Sequence, residues 1–289
     1  MKQHRFSGET AVKILLGMCG AVSIACVALI TGYLLWAGTP AIAQIGWKEF
    51  FFGTVWRSNA TPPEYGILPF VLTSICGTLG AILLGVPLGV LSAVCLAKLV
   101  PEKLRQLLHP AVELLAGIPS VVYGLTGMMV LVPGVRKLFG LPDGANLFSA
   151  ILILAVMILP PIIQVSENAL RAVPEEYEQA SLALGASRVE TVFHVTLPAA
   201  SDGIAAAVVL GIGRAVGEAM AVMMVAGNVA NMPGLFKSVR FLTTAVASEM
   251  AYASGLSRQA LFSIALVLFF FVMIINLTLD LIMKRRGNR

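Results

Sequence analysis

Charged residues are scarce in this sequence of 289 residues. Only 12% are Asp, Glu, Lys or Arg, about half of the share that soluble domains carry, whereas 58% are apolar. This imbalance excludes a disordered chain and a soluble globular enzyme, because neither combines so much apolar surface with so few charges. The mean hydropathy of +0.89 indicates instead a helical protein that crosses a membrane several times.

Cysteines are few, and catalytic or metal-binding patterns are missing. All four cysteines lie in apolar stretches, which argues against a disulfide scaffold and a Cys-rich metal site. The three histidines are scattered and form no His-Glu-x-x-His pattern, and no nucleophile–base set supports a membrane-embedded enzyme. The sequence also lacks a Gly-x-x-x-x-Gly-Lys-Ser/Thr loop. We therefore expect this chain to bind no cofactor of its own.

The net charge of +5 is distributed as in a membrane protein. With the N-terminus inside, twelve Lys and Arg residues fall in inner segments and seven in outer segments. Because cytoplasmic loops retain Lys and Arg, this asymmetry predicts that both termini are cytoplasmic and that no nucleic acid is bound. The basic residues at the C-terminus are expected to anchor the chain in the lipid: Lys284, Arg285, Arg286 and Arg289.

Six apolar stretches approach the ~20 residues that a helix needs to cross a bilayer. Pro87 and Pro119 are expected to break the second and the third. Ala41–Ala43 resembles a signal-peptidase site, but the apolar stretch before it is longer than the ~7–15 residues of a signal peptide, so we expect an uncleaved span. The predicted spans are Ile14–Ala37, Leu68–Leu96, Leu107–Val132, Leu147–Val165, Ile204–Val229 and Ala260–Met283.

The segment 39–66 follows the first span and is rich in aromatic residues. It contains Trp47, Phe50, Phe51, Phe52, Trp56 and Tyr65. Trp and Tyr are common at membrane interfaces, so an interfacial aromatic belt is one interpretation of this outer loop. A docking surface for an outside partner is the other.

The segment 168–200 predicts two short helices rather than a flexible connection. Pro174 suits the first turn of a helix, and Gly185 can end that helix in a left-handed conformation. Ser187 and Glu190 form the pattern of a capping box that opens a second helix. Physical reasoning leaves two interpretations: an amphipathic helix pair on the membrane surface, or a compact knob that fits a groove of another protein.

The same segment resembles the EAA loop of bacterial ABC importer permeases. That pattern is E-A-A, three residues, G, nine residues, I-x-L-P, and we assign to it Glu178, Ala180, Gly185, Leu197 and Pro198, with Gln179 and Val195 as departures. The resemblance implies that the EAA segment, as we call residues 168–200, docks on an ATP-binding subunit. It also implies that ATP and Mg²⁺ are bound by that separate subunit.

Two charges lie inside the predicted fifth span. Arg214 and Glu218 are four residues apart, so on a continuous helix they would share one face and form a pair. Gly213 and Gly217 have the spacing that lets another helix approach closely. The pair is either a salt bridge that fixes helix packing, or a charged site on the path of an anion, for which the planar Arg guanidinium is suited.

Two stretches resemble the PstC-type permease of the bacterial phosphate-specific ABC importer. They are Gly213–Val222, with Gly227 and Asn228 beyond it, and Ile118–Gly124. The resemblance implies an all-α type I ABC importer permease fold with six transmembrane helices in the inner membrane. It further implies three partners: a second homologous permease, a dimer of ATP-binding subunits and a periplasmic phosphate-binding protein.

The predicted organisation is an N-terminal helix and periplasmic loop over residues 1–66, followed by a permease domain over residues 67–289. The predicted function is import of inorganic phosphate, with Arg214 and Glu218 on the substrate pathway and ATP hydrolysis elsewhere. Two alternatives remain open at this point. One is a permease for another oxyanion such as sulfate or molybdate, and the other is a secondary transporter or channel, which the few intramembrane carboxylates disfavour.

Overall fold

The computed structural model describes the backbone of residues 3–287 and the side chains of residues 11–279 and 281. The basic side chains predicted to anchor the C-terminus lie outside these described residues. Within them the only strands are β1 (Trp56–Arg57) and β2 (Glu64–Tyr65), which form an antiparallel hairpin. The helices are α1 Gln3–Ile45, α2 Trp47–Phe52, α3 Leu68–Val94, α4 Glu102–Gly117, α5 Ser120–Thr126, α6 Val132–Phe139, α7 Leu147–Arg171, α8 Glu175–Ala183, α9 Arg188–Thr191, α10 Leu197–Ala199, α11 Ser201–Gly217, α12 Met220–Val225, α13 Leu242–Glu249 and α14 Gly255–Gly287.

Short π-helical turns continue three of these helices. They are Cys95–Leu99 after α3, Gly127–Leu131 between α5 and α6, and Val192–Thr196 between α9 and α10. Such turns interrupt the regular hydrogen-bond ladder and are frequent at functional sites. One of the three, Val192–Thr196, lies within the EAA segment, and Cys95–Leu99 contributes Leu96 to the apolar cluster that contains Val192.

Five helical stretches of the described chain are long and apolar enough to cross a membrane. A sixth crossing is obtained if α9–α10 and α11, which meet at an angle of 71°, are counted as one bent span. The prediction of six spans agrees with the larger count. The five stretches are Ala11–Ile45, Leu68–Leu99, Ser120–Phe139, Leu147–Arg171 and Gly255–Leu279.

The interruptions of the spans differ from those predicted. Helix α3 runs through Pro87 without a break, because the residues on both sides of Pro87 are held against α7. The break at Pro119 is confirmed, but it moves the third span from the predicted 107–132 to 120–139, since α4 buries none of its residues. The predicted span 204–229 is also wrong as a single helix, because α11 ends at Gly217.

Helix α7 is the centre of the bundle and packs against α3 and α11. Gly85 and Gly89 of α3 face Ile158 and Ile162 of α7 so closely that a methyl group at either glycine would lie 2.6–2.7 Å from an isoleucine carbon. Gly211 of α11 meets Ile162 in the same way. Small residues therefore let three helices approach closely, as in many membrane bundles.

The first helix is attached to the bundle along one side. Helix α1 packs on α14, where the Ser263 hydroxyl donates to the Gly38 carbonyl over 2.5 Å. Most of the remaining side chains of α1 are exposed and apolar. A lipid environment satisfies such a surface, because the backbone of a helix is hydrogen-bonded internally.

Residues 46–66 and 226–254 form a cap over one end of the bundle. Phe50, Trp56 and Tyr65 are buried in the cap together with residues of α13 and α14, so the aromatic-belt interpretation is wrong for these three. Trp47 and Phe52 are exposed. The EAA segment lies at the other end of α7, because α7 begins against the cap loop and ends where the EAA segment starts.

Candidate functional site

A break between α11 and α12 defines the candidate site. Glu218 has extended backbone angles, φ −73° and ψ 123°, so the helix stops at Gly217 and restarts at Met220. The Thr243 hydroxyl donates to the Glu218 carbonyl over 3.0 Å, and the Glu218 carboxylate accepts from the Ala221 backbone N–H over 3.1 Å. Both bonds fix the break, and broken helices of this kind form substrate and ion sites in transporters.

The predicted pairing of Arg214 with Glu218 is wrong. Residues four apart are neighbours only on an uninterrupted helix, and the break removes Glu218 from the face that carries Arg214. Among the side chains that the structure describes, no carboxylate lies within 4.0 Å of Arg214. The half-buried Arg214 guanidinium is thus an uncompensated charge in the last turn of α11.

One side of α11 next to Arg214 is turned away from the bundle core. Gly213 and Gly217 lie on that side, and a methyl group at either would meet no atom of another described segment within 4 Å. Ala215 and Val216 of the same turn are buried on the opposite side. Within the part of the chain that the structure describes, the two glycines therefore pack against no other helix.

The two stretches that resemble the phosphate permeases contact one another. Helix α12 packs against α5, where a methyl group at Gly124 would lie 2.7 Å from the Met224 sulfur and 2.8 Å from Ala221 Cα. The neighbouring Tyr123 hydroxyl donates to the Leu115 carbonyl over 2.7 Å and so bridges the break at Pro119. Each of the two broken helices thus supports the other.

Beyond α12, a cleft of about 970 Å³ with both polar and apolar lining residues opens in the cap. Arg240 lines this cleft, donates to the Asn228 carbonyl over 2.9 Å and pairs with Glu249. Glu249 also accepts from the Trp56 indole N–H over 3.1 Å. The sequence interpretation missed Arg240 and Glu249, because each is an ordinary loop or helix residue until the fold brings them together.

The EAA segment has the two helices that its sequence predicts. Ser187 caps α9 in a reciprocal capping box with Glu190, which is confirmed, and Gly185 has a φ of +90°, as the left-handed stop requires. The N–H of Ser187 donates to the Glu190 carboxylate over 2.8 Å. This bond, with a smaller contribution from the Ser187 side chain, holds the pKa of Glu190 below its usual value.

The structure and the spacing together correct the assignment of Glu178. With three residues before Gly185, the first three positions of the EAA pattern fall on Gln179, Ala180 and Ser181, so Glu178 lies one residue outside it. The Glu178 carboxylate instead pairs with Lys98 Nζ at 2.5 Å. Ser181, at the third position, shares a hydrogen bond of 2.9 Å with Thr191 and ties α8 to α9.

Apolar side chains are exposed on the EAA segment. Leu184 is 91% exposed, the largest value among the exposed apolar residues of the described chain. Unlike the apolar surface of α1, these side chains stand on short helices with several charged residues between them. Exposed patches of this kind mark protein or membrane contacts. The exposed apolar set is Tyr177, Leu182, Leu184, Val189 and Phe193.

A buried carboxylate lies near the EAA end of α7. Glu167 is only 2% exposed, pairs with Arg171 at 2.8 Å and contacts His109 Nδ1 of α4 at 3.1 Å. The sequence interpretation missed this cluster because the predicted fourth span ended at Val165, two residues too early. The cluster ties α4 to α7 and differs from Arg214 in being fully paired.

Comparisons with known proteins agree with these features. A family described as the inner membrane component of binding-protein-dependent transport systems matches residues 85–288. The probable ABC transporter permease protein YqgH of Bacillus subtilis is 35% identical over 95% of this chain and 92% of its own length. The phosphate transport system permease protein PstC of Pasteurella multocida is 35% identical over 84% of both chains.

Two solved structures share the fold. An inward-facing MetNI methionine ABC transporter matches with a TM-score of 0.60 and 23% identity over 76% of this chain and 95% of that one. A bacterial alginate ABC transporter matches with a TM-score of 0.61 and 15% identity over 98% of this chain and 96% of that one. The all-α fold of the type I ABC importer permeases, predicted above, is confirmed.

Proposed function

We propose, since the chain belongs to the family of inner membrane components of binding-protein-dependent transport systems, that it is the permease subunit through which an ATP-driven importer moves inorganic phosphate. The observation that carries this proposal is Arg214 beside a broken helix, with no partner among the described carboxylates and next to a side of α11 that the described residues leave open. The relatives named as phosphate transport permeases support the choice of anion.

Arg214 is the proposed contact for the passing anion. Its guanidinium presents planar N–H donors that match the oxygens of a tetrahedral oxyanion, and no described carboxylate competes for them. Glu218 has a different role from the one its spacing suggested. By capping α12 it maintains the helix break that presents Arg214 to the pathway.

The open face of α11 is proposed to meet the second permease subunit. Gly213 and Gly217 leave room for a helix of that subunit, so that the anion would pass between the two permeases, next to Arg214. The cap would face the periplasm and the phosphate-binding protein. Both termini and the EAA segment would then lie in the cytoplasm, in accord with the distribution of Lys and Arg.

The EAA segment is proposed to dock on the ATP-binding subunit. Its exposed apolar side chains, with Leu184 at the turn before Gly185, supply a surface that a groove can bury. Ala180, Gly185, Leu197 and Pro198 give this surface its shape. ATP and Mg²⁺ would be bound by the ATP-binding subunit, and this chain would hold no cofactor.

Purification of the complex from a native membrane, followed by transport assays in proteoliposomes, tests the proposal. We expect an ATP-binding subunit and a second permease to co-purify with this chain. Proteoliposomes that contain ATP inside and a phosphate-binding protein outside should accumulate phosphate, and sulfate or molybdate should not compete. ATP-independent uptake would contradict the importer, and preferred uptake of sulfate or molybdate would contradict the substrate.

A further inference from the structure

An ion pair joins the EAA segment to the end of α3. Lys98 Nζ lies 2.5 Å from Glu178 Oε1, and the Thr196 hydroxyl donates to the same oxygen over 3.1 Å. The two charged side chains are 14% and 24% exposed, and Thr196 is completely buried. One carboxylate oxygen thus receives donors from two separate parts of the chain, which fixes the position of α8 relative to both.

The surroundings of this ion pair are apolar. Leu96 of the π-helical turn after α3 belongs to one apolar cluster with Val173 and Val192 of the EAA segment and with residues of α7. Apolar contacts are not directional and allow small sliding movements, whereas an ion pair supported by a hydrogen bond specifies one register. The pair is therefore the directional connection within an otherwise apolar contact.

We infer that Lys98 is a positioning residue that couples movement of α8 to α3, and that Glu178 acts on Lys98 within this chain rather than on the ATP-binding subunit. The inference rests on the proposed function of the EAA segment as the docking site. Glu178 lies outside the EAA pattern and is turned inward, whereas Leu184 and Tyr177 remain exposed for the other subunit. A movement of the docking surface is then transmitted to α3 through the ion pair between Glu178 and Lys98.

The test uses the whole complex in proteoliposomes and measures phosphate imported per ATP hydrolysed. Lys98→Met should lower this ratio about fivefold to tenfold, because the half-buried carboxylate loses its partner and α8 moves independently of α3. ATP hydrolysis and co-purification of the ATP-binding subunit should persist. Lys98→Arg should restore most of the ratio, since it keeps the charge.

Two further variants distinguish the pair from its surroundings. The exchange Lys98→Glu with Glu178→Lys should recover the ratio to within about twofold of the original protein, because the pair is re-formed in reverse. Lys103→Met is the matched control, since Lys103 is exposed and forms no ion pair with the side chains that the structure describes. It should leave the ratio unchanged.

Two results would overturn the inference. One is an unchanged ratio in Lys98→Met. The other is loss of the ATP-binding subunit in Glu178→Gln together with no recovery in the exchange, which would place Glu178 on the partner. Failure of the proposed function looks different, because the unaltered complex would then import no phosphate. In that case a double-mutant cycle on thermal unfolding still tests the pair, and additive effects of Lys98→Met and Glu178→Gln would contradict it.

Discussion

Two pairs of glycines with the same four-residue spacing have opposite surroundings. Isoleucine side chains of α7 fill the space next to Gly85 and Gly89 of α3, whereas the space next to Gly213 and Gly217 of α11 is open. The first pair lets two helices of the same chain pack closely. The second pair leaves open space beside Arg214, which no described carboxylate neutralises. A spacing that permits close helix approach therefore does not say whether the approaching helix belongs to the same chain.

We call the contact of Gly85 and Gly89 with α7 the closed seam, and the side of α11 with Gly213 and Gly217 the open face. The charged residues near these two regions differ in the same way. Glu167, at the end of the closed seam, is buried and paired with Arg171 and His109. Arg214, next to the open face, is half-buried and has no described carboxylate within reach. Substitutions in the closed seam should lower the free energy of unfolding. Substitutions at the open face should reduce assembly with the second permease or phosphate uptake.

The largest effect on stability is expected in the paired cluster. Arg171→Met removes a partner of the buried Glu167 and should destabilise the chain by about 3 kcal/mol, the low end for a broken buried pair because Arg171 is 36% exposed. Thermal unfolding of the purified chain in detergent measures this loss. Adding Glu167→Gln should restore part of it. A stable Arg171→Met protein would show that the cluster does not hold α4 and α7 together.

A slightly smaller loss is expected in the glycine seam. Leucine at Gly85 begins with a Cβ only 2.6 Å from the Ile158 side chain and 3.1 Å from the Ala155 carbonyl. Gly85→Leu should cost about 2–3 kcal/mol of unfolding free energy, because α3 and α7 must separate. The same unfolding assay applies. An unaltered unfolding temperature would mean that the seam is looser than the structure shows.

Gly185 is required for its backbone angle rather than for space. Gly185 has a φ of +90° and no neighbour within 4 Å of a built methyl group. Gly185→Val should strain the turn by about 1–2 kcal/mol and leave the membrane bundle folded. Uptake per ATP hydrolysed should fall while the protein still inserts. Normal phosphate uptake by this variant would contradict the role of the turn in coupling.

The smallest effect on stability is expected at the open face. Gly213→Leu is the counterpart of Gly85→Leu. Its Cβ would meet no described atom of another segment within 4 Å, so the substitution should change the unfolding free energy by less than about 0.5 kcal/mol. Its effect should instead appear as reduced recovery of the second permease from the same membranes. Equal recovery would show that this face does not contact that subunit.

Features with local causes could be predicted from the sequence. Apolar runs located four of the six predicted spans, and the capping box at Ser187 and the left-handed Gly185 are confirmed because each depends on residues within a single turn. The predicted pair of Arg214 and Glu218 failed because the helix break depends on Thr243, a residue 25 positions away. The tie between Lys98 and Glu178 joins residues 80 positions apart and has no local signature.

Pro87 in α3 is another case in which contacts between distant residues overrule a local sequence signal. A proline removes one backbone hydrogen bond, and the sequence therefore predicted a break at Pro87. Packing of Gly85 and Gly89 on α7 keeps the helix continuous. At Pro119 the break is confirmed, whereas α4 continues through Pro110 although it buries no residue, so a proline in the sequence does not by itself locate a break.

Phosphate uptake by Arg214 variants, normalised to assembled complex in the membrane, tests the central claim most directly. Arg136→Gln, which removes an exposed arginine of α6, is the matched control and should transport normally. Arg214→Gln should lower uptake by about tenfold or more, since the anion loses a charged hydrogen-bond donor, and should leave stability nearly unchanged. Arg214→Lys should recover only part of the uptake, because a point charge replaces a planar fork. Uptake by Arg214→Gln at the rate of the unaltered complex would contradict the account.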